Sequence, residues 1–95
     1  MSTGTKIMSA DGSVGVSGKP TRIFAMNLVS GAGSGDLVLR NGSTASGTIY
    51  LQFAGVASTG QLFTIDDGVF FPGGCFYDHE ANNTHVSITY EQERR

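Results

Sequence analysis

Ninety-five residues with 15% charged side chains and a formal net charge of -2 fit one domain and leave no room for a second core. The basic residues Lys6, Lys19, Arg22, Arg40, Arg94 and Arg95 form no stripe that could neutralise phosphates, which argues against a nucleic-acid partner. One cysteine, Cys75, allows no internal disulfide, and no stretch is long and apolar enough for a signal peptide or a bilayer span, so the expectation is a chain made in a cytoplasm with no membrane partner.

In chain order, Thr5–Met8 and Val14–Ser17 are short β-type pieces separated by the turn signal Ala10-Asp11-Gly12. Their glycine spacing predicts an N-terminal arm or edge hairpin over 1–18, ahead of a single domain over 19–95. Pro20 suits the start of a strand, and Thr21–Ser30 then alternates. A period of two puts Phe24, Met26 and Leu28 on one face and Ile23, Ala25 and Val29, with Asn27, on the other. Gly31–Gly35 ends that strand. Asp36–Arg40 points Leu37 and Leu39 inward, and Asn41-Gly42 is a hairpin signal because both residues tolerate positive φ.

Thr48–Ala54 alternates again, with Ile49, Leu51 and Phe53 on one side and Tyr50 and Gln52 on the other. After the small-residue loop Gly55–Gly60, Gln61–Ile65 reads as a strand, Asp66-Asp67-Gly68 as a turn and Val69–Phe71 as a further short strand. Pro72-Gly73-Gly74 turns before Cys75–Tyr77, and Asp78–Asn83 is a polar loop. His85–Tyr90 closes the pattern with Val86, Ile88 and Tyr90 inward, and Glu91–Arg95 is a charged tail. No stretch carries apolar residues at helical spacing. Seven to nine short strands with frequent turns predict an all-β fold, an antiparallel β-sandwich of jelly-roll-like form.

Candidate chemistry is sparse. Gly31-Ala32-Gly33-Ser34-Gly35 lacks the third glycine of a dinucleotide loop, and a strand follows it where a helix is needed. Cys75, Asp78, His79, Glu80 and His85 hold metal-ligand types, but Cys75 sits in an apolar run and Asp78–Glu80 in a solvated loop. Asp66 and Asp67 are adjacent and point to opposite faces, which does not suit a glycosidase pair. No catalytic, cofactor-binding or metal residue is assigned, and an enzyme is not expected. Val69, Phe70 and Phe71 are consecutive, so both faces of their strand are apolar, as at a subunit contact. Ile7, Met8, Val14 and Val16 in the N-terminal segment, with Tyr90 near the tail, complete the candidate interface.

The order of these pieces resembles a group of small β-sandwich virion proteins of tailed bacteriophages. The residues that carry the likeness are Arg22–Leu28 after the opening pieces, Leu37–Gly42 with Thr48–Phe53, Asp67–Phe76, and the closing strand His85–Glu91. Cys75 stands where the group has an aliphatic residue, and Asp78–Asn83 is more charged than is usual there. The resemblance implies a structural role in the virion as a capsid decoration or cement protein. It also implies a homo-oligomer, frequently a trimer, that contacts the major capsid protein or another virion protein. The alternative from a different class is a carbohydrate- or receptor-binding sandwich of a tail or fibre, with Tyr50 and Tyr77 as its aromatic platform.

Overall fold

The strands carry apolar side chains at alternate positions, so each sheet has one face to bury and the two faces are buried by stacking. A computed structural model describes residues 2–33 and 35–92. It contains eight strands and, among the described residues, no helix: β1 (Ser2–Met8), β2 (Gly12–Ser13), β3 (Thr21–Ser30), β4 (Asp36–Asn41), β5 (Thr48–Ala54), β6 (Gly60–Phe71), β7 (Cys75–Asp78) and β8 (Asn83–Gln92). They form two antiparallel sheets in the orders β1-β8-β3-β6 and β2-β7-β4-β5. First pairs with last, second with seventh, third with sixth and fourth with fifth. The β8·β3 and β7·β4 pairings join those ribbons into the two sheets of a jelly roll.

The core lies between the sheets. Met8, Ile23, Met26, Leu28, Phe71, Val86 and Ile88 come from the first sheet, Leu37, Leu39, Cys75 and Tyr77 from the second, and Val14 from the loop after β2. Each of the larger side chains contributes roughly 1.5–3 kcal/mol by leaving water. At the β5 and β6 edges the seam is closed by Phe53 stacked on Phe63, with ring centroids 4.4 Å apart. Of the two opening pieces only the first is a strand: Val14–Ser17 is not, and the second edge strand is Gly12–Ser13, next to where the turn was expected. β1 lies along β8 and β2 along β7, so the expected edge hairpin is two edge strands, one for each sheet.

Three departures from strict alternation have one physical origin. Between Ile23 and Ala25 the β3 register shifts against both neighbours, leaving Phe24 without a partner. That β-bulge moves the inward face from Ile23 to Met26 and Leu28, so Ile23 joins the core and Phe24 does not, contrary to the expected faces. A second bulge lies between Leu39 and Arg40 in the β4·β5 pairing and leaves Tyr50 unpaired. Ile49 therefore faces outward beside Arg40, and the Tyr50 ring packs 5.2 Å from that of Phe71.

The third departure is in β6. Asp66-Asp67-Gly68 does not reverse the chain, because Thr64 and Val69 on either side of it both pair with β3, in one continuous direction. Residues 65–68 bow out opposite Phe24, with Asp67 and Gly68 both at positive φ (63° and 73°). Arg22 Nη1 donates to the Asp67 carbonyl at 3.0 Å and holds the bow in place. One long bulged strand replaces the two short strands expected.

Candidate interaction surface

The two sheets differ in how their outer faces end. On the second sheet, Val38 is an outward residue that is nonetheless buried. The Arg40–Asp78 ion pair (2.9 Å) and the Gln52–Asp36 hydrogen bond (2.9 Å) cross diagonally on either side of it. Arg40 also donates to the Gly47 carbonyl at 2.9 Å. Those contacts cover Val38, while Ile49 at the β5 edge of that face stays 41% exposed.

The outer face of the first sheet has no such cover. Antiparallel register places Ile7, Ser87, Asn27 and Leu62 in one row across β1, β8, β3 and β6. Ile7 and Leu62 at its two ends are each 68% exposed. The next row is Thr5, Thr89, Ala25 and Thr64, and the one beyond holds Glu91, Arg22 and Phe70. The Arg22 guanidinium carbon sits 5.3 Å over the Phe70 ring.

Of the residues expected at an interface, Ile7, Val16 and Phe70 are exposed. Met8, Val14 and Phe71 are buried inside the monomer, and Val69 and Tyr90 pack against its core. Met8, Val14 and Phe71 fill the sandwich and have no surface to offer a partner, which corrects their assignment, while Val69 and Tyr90 remain partly exposed. Leu62 was missed. It has the opposite parity to Phe63 and Ile65, and only the cross-strand register shows that it ends a row begun by Ile7.

Val16 is presented by a clamp that alternation cannot reveal. Gln92 is buried at the end of β8, and its Oε1 accepts from the Val16 N–H at 2.9 Å. Its Nε2 donates to the Val16 carbonyl and to Thr21 Oγ1, both at 2.9 Å. Thr21 Oγ1 in turn donates to the Lys19 carbonyl at 2.8 Å. The backbone N–H is an unambiguous donor, so the amide orientation is fixed by the network. Of the charged C-terminal tail, residues 93–95 lie outside the described residues.

The candidate metal ligands are not brought together. Among the described residues no three His, Cys, Asp or Glu side chains are placed to hold an ion. Cys75 is in the core, and burial pushes its thiol far above the ordinary range. His79 meets the Tyr77 hydroxyl through Nδ1 at 2.9 Å, and its backbone N–H donates to Asp11 Oδ1 at 2.6 Å. Burial raises the Tyr77 hydroxyl pKa; the Asn83 side chain opposes the shift, and the Asp11, Glu80 and Asp78 carboxylates add to it. Tyr77 is fully buried, which removes half of the suggested aromatic platform. No family model, curated protein or solved structure matches this chain.

Proposed function

We propose that this chain is a non-enzymatic structural component of a bacteriophage virion, a capsid decoration protein that stabilises the particle by self-association and by contact with neighbouring capsid subunits. The observation that carries the reading is a rigid jelly roll whose recognition features are surfaces: an open sheet face bearing Ile7, Leu62 and Phe70, and Val16 held on a clamped loop. A decoration protein needs that combination, since it must dock on a lattice without distorting. The spacing of strands and glycines that resembles small phage virion proteins supports the same role. The family likeness adds a homo-oligomer, with a trimer as its frequent form.

The test is to mix the purified chain with expanded empty capsids built from the major capsid protein of the same phage. Saturable co-sedimentation and a rise in the temperature at which the capsids break are expected. Absence of binding, together with quenching of tyrosine fluorescence by glycans, would transfer the chain to the carbohydrate-binding class.

A further inference from the structure

The open face of the first sheet has a symmetry in its side chains. Its row across β1, β8, β3 and β6 runs Ile7, Ser87, Asn27, Leu62: apolar, polar, polar, apolar. The next row is small and uncharged throughout, Thr5, Thr89, Ala25, Thr64. In the row beyond, Glu91 on β8 stands beside Arg22 on β3. These two are the only Asp, Glu, Lys or Arg side chains on the three rows among residues whose side chains are described. Glu91 makes no ion pair with any described residue, and Arg22 uses one N–H on the Asp67 carbonyl.

We propose that this face binds a second copy of the chain, face to face, about a two-fold axis that runs near the strand direction between β8 and β3. Such an axis carries β1 over the partner's β6 and β8 over the partner's β3. Ile7 then meets Leu62 of the second copy, and Leu62 meets Ile7. The polar centre of the row, Ser87 and Asn27, meets Asn27 and Ser87. Glu91 faces Arg22, and by symmetry Arg22 faces Glu91, giving two ion pairs from one operator. An isologous contact requires a surface complementary to itself, and each of the three rows meets that requirement.

Area supports a two-chain contact. Four strands about 4.8 Å apart, with about eight residues each at roughly 3.3 Å, give a face on the order of 500 Å². Two such faces bury on the order of 1,000 Å², at the lower limit for a specific interface. Aligned sheets cross at about -30°, so the middle row of small side chains, Thr5, Thr89, Ala25 and Thr64, makes the closest approach, and Ile7 and Leu62 beside it supply the apolar area. On the outer face of the second sheet Arg40 and Asp78 are already paired, and the exposed Ile49 shares its row with Arg40, Phe76 and Ser13, so the same operation would set it against Ser13. This contact does not rest on the virion reading. A trimer would need a different surface.

The experiment is light scattering after gel filtration over a dilution series. The wild-type chain is expected to approach twice the 9.9 kDa monomer mass at the concentrated end. Leu62→Asp, at an exposed position that the fold does not need, is expected to stay monomeric. Val56→Asp, exposed on the loop between β5 and β6, keeps the dimer. Arg22→Glu and Glu91→Arg each place like charges across the axis and raise the dissociation constant by about tenfold or more. Mixed one to one, these two variants pair with each other, which no rearrangement inside one chain can reproduce. A wild-type monomer at every concentration, a threefold mass, a dimer that survives Leu62→Asp, or variants that do not pair on mixing would each overturn the proposal.

Discussion

Gln92→Ala isolates what the C-terminal end of β8 does for the loop beneath it. The substitution takes the acceptor from the Val16 N–H and the donors from the Val16 carbonyl and Thr21 Oγ1. Thr21 keeps its bond to the Lys19 carbonyl, so its hydroxyl loses one of two partners. Val16 is exposed and its bonds are part-buried, so each of the three lost bonds costs about 1 kcal/mol. The sum is about 3 kcal/mol, large beside the stability of a domain this small. At about 4–8 °C per kcal/mol, the melting temperature falls by roughly 10–25 °C in a thermal scan followed by circular dichroism. Gln92→Glu sharpens the test. A carboxylate keeps the Val16 N–H satisfied but faces the Val16 carbonyl, so the folded chain holds its proton more tightly than the unfolded one. Stability of that variant is therefore greatest in acid and lost as pH rises through the folded pKa. A loss below about 0.5 kcal/mol for Gln92→Ala, or no difference in pH response between the two variants, would refute the clamp.

Further expectations concern the core and its loop end. Ser30 Oγ is buried without a hydrogen-bond partner, so Ser30→Ala is neutral or stabilising by up to about 1 kcal/mol; a clear loss in urea unfolding would contradict this. A Cβ at Gly55 would run into the Gly35 carbonyl and the Ser30 hydroxyl, so Gly55→Ala costs about 2 kcal/mol or more, and an unchanged denaturation midpoint would count against the loop packing. Tyr77 has a raised folded pKa, so the stability it contributes is intact below its unfolded value of about 10 and drains away as pH climbs through the folded one. Ultraviolet titration should show one tyrosine ionising only as the fold is lost, and three tyrosines titrating as one in the folded chain would disprove it. Cys75 should react with a thiol reagent only at the rate of opening, and rapid stoichiometric labelling of the native chain would place it outside the core.

Where strands keep a strict period of two, the sequence is legible residue by residue. β8 turns Val86 and Ile88 inward and β4 does the same with Leu37 and Leu39, as alternation requires. β3, β5 and β6 were misread at Phe24, Tyr50 and Asp66–Gly68, because a bulge inverts parity with no local composition cost. The DDG triplet has the residues of a turn and adopts their left-handed geometry at Asp67 and Gly68, yet β3 captures both flanks and the chain goes on. Surface features were harder still. Ile7 and Leu62 are 55 positions apart and become neighbours in a row only through two intervening strands. Gln92 carries no signal at all in a polar tail, since its partners lie 71 and 76 positions earlier.

The nested pairing of the strands also sets an order of assembly. β4 and β5 are joined by the short segment 42–47 and can zip as soon as both leave the ribosome. Once they have met, β3 and β6 are tethered close to each other, then β2 and β7, and finally β1 and β8. Each closure is entropically short even though the last joins residues at opposite ends of the chain. The cost falls on β1, which is synthesised first and paired last. Until β8 arrives, Ile7 and Met8 stand unpaired on a growing chain, and Lys6 is the one charged residue of β1, the kind of side chain that discourages edge pairing.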